Sequence, residues 1–134
     1  LQAQALCQFQ SYPDNYWYSA QFVVGVVLFL FGARINWQVD AHLTRLRQQS
    51  AGYQIPVGGW FDVFGGLSAP HYWGEMVQWI GFAVAANFST AAVSFVIFTA
   101  SNLIPRGVAH HAWYRQHFGD KYPVQRKAVI PYIW

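Results

Sequence analysis

Met76-Val-Gln-Trp-Ile80-Gly-Phe-Ala-Val-Ala-Ala-Asn87-Phe-Ser-Thr90-Ala-Ala-Val-Ser-Phe95-Val-Ile-Phe-Thr-Ala100-Ser-Asn-Leu-Ile-Pro105 is 30 residues without one charged side chain, and Arg106 ends it. As a single helix it would run about 45 Å, too long for a hydrocarbon core of about 30 Å. Asn87-Phe-Ser-Thr90 in the middle is turn-like, so the stretch divides into two antiparallel spans. Each half measures only about 22 Å and must recruit residues at its outer end to cross. That draws Glu75 and Arg106 to the membrane boundary, where ionisable groups face protein or a water-filled cavity and are functional candidates. Asn87-Phe-Ser89 matches a glycosylation sequon, which so tight a membrane turn keeps from modification.

Upstream, Tyr16 to Asn36 is a 21-residue segment whose only charge is Arg34. It covers about 30 Å as a helix, with Tyr16, Trp17 and Tyr18 at one end and Trp37 at the other as interfacial aromatics. Gly25 and Gly32 would admit a neighbouring helix closely. The composition agrees with membrane as the solvent: 54% hydrophobic and 19% aromatic, but 10% charged against a usual share of about 25%. Leu1 is not Met and no secretory leader pattern opens the chain, so the sequence is expected to be a piece of a longer protein. Cys7 is the single cysteine and offers neither a disulfide nor a thiolate metal box.

Between the spans, the helical pattern continues past Asn36 to a break at Ser50-Ala-Gly52. Asn36, Asp40 and Arg47 fall within about 40° of one another on it, a stripe that serves either a solvated face or a site. Arg45 and His42 read as surface residues. Gly52-Tyr53-Gln-Ile-Pro56-Val-Gly58-Gly59-Trp60-Phe61 is a loop, prolonged by Gly65-Gly66, with neither Rossmann nor P-loop spacing. Pro70 is placed to start the next helix. After the long apolar stretch comes Arg106-Gly-Val-Ala-His110-His111-Ala-Trp113-Tyr114, where Arg106, His110 and Tyr114 sit four apart on one side. On those nine residues alone, a membrane anchor with an aromatic belt is the better reading than a ligand cradle. The basic tail beyond Tyr114 reads as a surface-lying, lipid-facing end.

Charge placement joins these pieces. Residues 1–33 hold no Lys or Arg, the segment from Arg34 to Glu75 holds three, the middle turn none, and the tail from Arg106 five. The positive-inside rule puts the 34–75 segment and the C-terminus on the cytoplasmic side. Asn36, Asp40, Arg47, Tyr53, His71, Glu75, Arg106, His110 and Tyr114 then share one side of the membrane. Two arginines, two histidines, two carboxylates and two tyrosines suit a phosphorylated nucleotide cofactor: Arg pairs phosphate, carboxylates accept from ribose hydroxyls and Tyr stacks. His110, His111 and His117 complete no metal box, no Ser occupies a nucleophile elbow, and no basic run is long enough for nucleic acid.

The motifs Ile35-Asn36-Trp-Gln-Val-Asp40, Gly52 to Phe61, Ser68-Ala-Pro70-His71-Tyr72-Trp-Gly74-Glu75, Asn102-Leu-Ile-Pro105-Arg106, His110-His111-Ala-Trp113-Tyr114 and Tyr122-Pro123-Val-Gln-Arg126-Lys127-Ala-Val-Ile-Pro131 occur in order along the chain. Together they resemble the C-terminal half of the steroid 5α-reductase family (3-oxo-5α-steroid 4-dehydrogenase), over residues 1–134 as one cofactor-binding part. The resemblance implies an all-α, seven-spanning membrane helical bundle, of which this chain supplies three transmembrane helices. It implies that NADPH is bound by Asn36, Asp40, Arg47, Tyr53, Glu75, Arg106, His110 and Tyr114. His71 stands where many members carry Asn, and Val57 and the extra glycine at Gly65-Gly66 depart from common members. The family's substrate-engaging Glu and Tyr are implied upstream of Leu1, on the missing N-terminal helices.

The expected reaction is NADPH-dependent reduction of the conjugated C=C of a 3-oxo-Δ4 steroid, with membrane lipids as surroundings. The expected location is the endoplasmic reticulum, or the inner membrane of a bacterium, with the cofactor side cytoplasmic. Reduction of an enoyl-CoA or a polyprenol stays open as a sister reading. An isoprenylcysteine-type methyltransferase using S-adenosylmethionine and a membrane fragment without a ligand are the other two classes.

Overall fold

Ser19 opens the first long helix: its hydroxyl accepts from the Phe22 N–H at 3.2 Å and its carbonyl from the Val23 N–H at 3.1 Å. The computed structural model describes residues 11–49 and 52–133; Cys7, the Ser50-Ala51 break and Trp134 lie outside them. Helix α1 spans Ala20–Gln49 without interruption, α2 spans Pro70–Ala85 and α3 spans Thr90–Phe118. Among the described residues there is no strand, only an isolated parallel bridge between Leu67 and Lys127. The apolar segment expected from Tyr16 therefore becomes helical four residues later. Tyr16–Tyr18 is a 3-10 turn, closed by i to i+3 bonds from the Tyr18 N–H to the Asn15 carbonyl at 3.1 Å and from the Ser19 N–H to the Tyr16 carbonyl at 2.9 Å.

That turn closes the end of a neighbour. The Tyr16 hydroxyl donates to the Ala85 carbonyl at 2.9 Å and the Gln21 amide to the Val84 carbonyl at 3.1 Å. The last carbonyls of α2, which have no intrahelical donor, are satisfied from the start of the neighbouring α1 and the turn ahead of it.

Helices α1 and α2 pack antiparallel along a glycine seam. Gly25 faces Ala85, Gly32 faces Gly74 and Gln78, and Gly81 faces the backbone at Phe29. Gly25 and Gly32 are seven apart, as are Gly74 and Gly81, so each pair recurs on one face after two turns. Backbones approach where no side chain intervenes, and dispersion and packing, which hold helices together in lipid, act at short range. Beyond the seam towards the loop, Ile35, Val39 and Phe61 form a buried cluster with Leu43, Trp60 and Trp73 against it. At the other end Ala83, Ala86 and Ala92 form a second cluster.

The long apolar stretch divides where expected. Asn87 and Phe88 take left-handed φ angles of 51° and 50°, and the Phe88 N–H returns to the Ala83 carbonyl at 2.7 Å. Ser89 caps α3, its hydroxyl accepting from the Ala92 N–H at 3.3 Å. Both halves recruit outward: α2 reaches back to Pro70, in the helix-starting position, and α3 runs on to Phe118. Helices α1 and α3 are long and apolar enough to cross a membrane; α2 has 16 residues.

The C-terminal segment is docked in its middle and exposed at its end: Tyr132 and Ile133, with Val124 before them, stay on the surface, as expected of a lipid-facing tail. Tyr122, Arg126, Ala128 and Val129 are buried. The segment pairs its backbone with the loop ahead of α2: Lys127 N–H to the Gly66 carbonyl at 2.9 Å, Ser68 N–H to the Lys127 carbonyl at 2.8 Å, and Ala69 N–H to the Ala128 carbonyl at 3.1 Å. Gly65 and Gly66, at φ 82° and 90°, turn the loop into this register. A Cβ on Gly66 would stand 2.8 Å from the Arg126 Cγ, so the extra glycine makes room for the docked tail. His42 is not a plain surface residue either. Its ring lies 5.6 Å from that of Phe61 and its Nε2 is buried.

Candidate functional site

At the loop-side end of the bundle, α1, the 52–56 loop and α3 enclose a cleft of about 690 Å³ lined by Arg47, Tyr53, His110, Trp113 and Tyr114 over a floor that includes Leu43 and Pro56. Three separate stretches of chain converge there. Arg47 is in the last turn of α1, where its charge also suits the negative end of the helix dipole. Tyr53 follows a few residues later, and the other three belong to α3.

The aromatic walls have defined geometry. The Tyr53 ring meets Trp113 edge-on with centroids 4.9 Å apart, and Trp113 stacks on His117 at 4.7 Å and 11°. The His110 ring meets Tyr114 at 5.3 Å, and Tyr114 stacks on Tyr122 behind it at 5.4 Å and 10°. Tyr53 is exposed at the rim, while Tyr114 is buried as the back wall. Burial is the main influence on His71, His110 and Tyr114, and the Arg47 charge acts on each of them after it.

Of the nine sequence-derived site residues, Arg47, Tyr53, His110 and Tyr114 line the cleft. His71, in the first turn of α2, is outside the lining; its buried Nδ1 has no hydrogen-bond partner among the described residues. Asn36 and Asp40 lie on the Leu43–Arg47 face of α1, further along the helix towards the seam. Glu75 is partly buried one turn after His71. Arg106 is exposed one turn before His110. Among the described residues no ion pair joins Arg106 to Asp40 or Glu75; the pair present is Arg126 with Asp62 at 2.9 Å. Trp113 and His117 were legible as an i, i+4 pair. Nothing in the spacing could tell that Tyr53 would close on them.

Outside the cleft, Asp62 anchors the loop. It accepts from the Gly58 N–H and from Arg126. The Gly58 N–H first, and the Arg126 guanidinium after it, hold the Asp62 carboxyl below the usual carboxylate range.

The sequence matches the family model described as 3-oxo-5-alpha-steroid 4-dehydrogenase over residues 1–134. It is 38% identical over 134 residues to a tomato (Solanum lycopersicum) protein named Steroid 5-alpha-reductase DET2, covering 100% of this chain and 51% of that protein. The Arabidopsis thaliana protein of the same name is 44% identical over 124 residues, 92% of this chain and 46% of the relative. A Rattus norvegicus protein named 3-oxo-5-alpha-steroid 4-dehydrogenase 1 is 40% identical over 134 residues, 99% and 50% respectively. The chain thus spans about half the length of these relatives. By a match that runs its whole length, it belongs to the 3-oxo-5-alpha-steroid 4-dehydrogenase family.

Proposed function

We propose that this chain is the cofactor-binding half of a membrane reductase that acts with NADPH on the conjugated C=C of a 3-oxo-Δ4 steroid. The observation that carries the reading is the convergence of Arg47, Tyr53, His110 and Tyr114 on one cleft from three stretches of chain. Its volume falls within the range of about 300–1,000 Å³ common to ligand pockets. Its donor set also fits: a guanidinium for phosphate, aromatic faces for flat rings and an imidazole for a further hydrogen bond. Bound there, NADPH supplies the hydride that adds to the β-carbon of the enone.

The residues of this chain bind and orient. Arg47 and His110 hold the anionic and polar parts of the cofactor, Tyr53 and Trp113 cover a ring at the rim, and Tyr114 forms the wall behind. Asn36, Asp40, Glu75 and Arg106 lie outside the lining and would meet only those parts of the cofactor that extend beyond it. The steroid carbonyl oxygen gains charge as the β-carbon is reduced, and a hydrogen-bond donor must meet it; the family's Glu and Tyr, upstream of this chain, take that role. The α-carbon then takes a proton drawn ultimately from water, which balances the hydride added at the β-carbon. In the intact protein α2 is a third crossing of a seven-helix bundle, with the cleft on the cytoplasmic side of the endoplasmic reticulum or of a bacterial inner membrane.

The test uses the full-length protein in lipid nanodiscs. Arg47→Ala and His110→Ala are expected to raise the NADPH Kd roughly 10- to 100-fold, as loss of a charge-assisted hydrogen bond does, with steroid affinity within about twofold. Equal loss of both affinities overturns the assignment, and displacement by S-adenosylmethionine turns it to methyl transfer.

A further inference from the structure

The two adjacent histidines of α3 address different neighbours. His110 lines the cleft. His111, about 100° further round the helix, places its Nδ1 2.6 Å from the Ser68 hydroxyl. That same hydroxyl lies 2.5 Å from the Tyr122 hydroxyl. One buried serine thus ties together the loop ahead of α2, helix α3 and the C-terminal segment.

Ser68 and Tyr122 each carry one hydroxyl proton, so the two contacts are satisfied as a directional relay. Either Tyr122 donates to Ser68 and Ser68 to His111, or the direction reverses with the other tautomer of His111. The Tyr122 ring at the end of this relay stacks on Tyr114 at 5.4 Å and 10°, and the Arg126 guanidinium sits 5.7 Å from its centroid. Tyr114 is the back wall of the cleft. Docking of the tail does not need these hydroxyls, because the three backbone bonds of Gly66, Ser68 and Ala69 with Lys127 and Ala128 already hold it.

We infer that Ser68, His111 and Tyr122 form a positioning relay that fixes the rotation of α3 and the ring plane of Tyr114, and so keeps His110 and Tyr114 turned towards a ligand in the cleft. The inference rests on the cofactor reading above. None of the three relay residues touches the ligand; they act through their neighbours. Two consecutive residues divide the work, His111 holding the helix while His110 faces the site.

The experiment compares Tyr122→Phe, His111→Leu and His111→Asn in the full-length protein in nanodiscs. Phe keeps the stack and loses the hydroxyl, and Asn keeps a polar atom near the Nδ1 position. Tyr122→Phe and His111→Leu are expected to raise the NADPH KM roughly five- to tenfold, the worth of one hydrogen bond, with the steroid KM unchanged and His111→Asn restoring most of the loss. An unchanged NADPH KM in both, or a loss that Asn fails to rescue, overturns the relay. His110→Ala separates the two readings. If it raises the NADPH KM and Tyr122→Phe does not, the relay alone fails; if NADPH has no effect on any form, the cofactor reading fails. Modification by diethyl pyrocarbonate in the ligand-free protein tests the relay without any cofactor. His111 is expected to react several-fold faster in Ser68→Ala, and equal rates overturn it.

Discussion

Gly81→Ala puts the seam between α1 and α2 to a test in which two effects have opposite signs. Ala is the better helix former, by about 0.8–1 kcal/mol, so local propensity alone makes the variant more stable. The packing says otherwise. A Cβ at position 81 would stand 2.4 Å from the Phe29 nitrogen, 2.7 Å from the Gly25 carbonyl oxygen and 2.9 Å from the Leu28 carbonyl carbon. All three are backbone atoms and none can swing aside. Ordinary contact begins at 3.4 Å, so the helices must part by 3.4 − 2.4, about 1 Å. A gap of that size forfeits a quarter to a half of the dispersion well of each opposed pair, and overpacking costs about 1–3 kcal/mol. With backbone on both sides the upper figure applies, leaving about 2 kcal/mol of net destabilisation after the gain in propensity. For a protein of the size of the relatives this corresponds to a Tm drop of roughly 4–8 °C, read by thermal scanning of the full-length protein in nanodiscs. An unchanged or raised Tm refutes the close approach of the two helices.

Asp62→Asn is expected to destabilise by about 1–2 kcal/mol, below the cost of breaking a fully buried pair, because the Asp62 side chain is 55% exposed while that of Arg126 is 2% exposed. The Asp62 carboxyl is held low by Gly58 and Arg126, so its contribution is complete above the unfolded-state pKa and is lost as pH falls through the folded one; melts from pH 6 downward are expected to show an acid loss in the parent that Asp62→Asn flattens. Tyr16→Phe removes the donor to the Ala85 carbonyl and is expected to cost about 1 kcal/mol in thermal stability with no change in NADPH affinity. Trp113→Ala, which strips the stacked partner of His117 and the edge contact of Tyr53, is expected to raise the NADPH Kd by roughly tenfold in a fluorescence titration.

The helices were legible because their signals are local. An uncharged run, a turn-like Asn87-Phe-Ser-Thr90 and paired glycines gave the spans, the reversal and the seam, each through period or composition. Nothing local separates Tyr16 from its apolar successors, so composition starts the span four residues before α1 begins, and the use of Tyr16 as a cap for α2 is a long-range fact. The fate of the tail escaped for the same kind of reason. Arg126 and Lys127 read as part of a surface-lying, lipid-facing tail, whereas the structure buries Arg126 against Asp62, Phe61 and Tyr122. An ion pair between one buried and one exposed side chain has no sequence period. The stripe on α3 came from spacing, but its meeting with Arg47 and Tyr53 depends on how α1 and the 52–56 loop return across the bundle.

The position of Arg106 on α3 bears on how long a ligand of the cleft must be. Arg106 precedes Tyr114 by eight residues, about 12 Å along α3, and lies outside the cleft lining that holds Arg47, His110 and Tyr114. Arg106 therefore meets only a ligand that reaches about one helical turn beyond His110. If NADPH occupies the stripe, Arg47→Gln and Arg106→Gln each weaken it, and the double variant loses the sum of the two in free energy, as independent sites do. The isolated phosphoadenosine half of the cofactor is then weakened by one of the two substitutions and indifferent to the other. Calorimetric titration of the full-length protein with both ligands decides this. If both substitutions weaken the half-ligand equally, the two charges act on a single anion and the stripe does not track an extended cofactor. If Arg106→Gln leaves NADPH untouched, the site ends at His110.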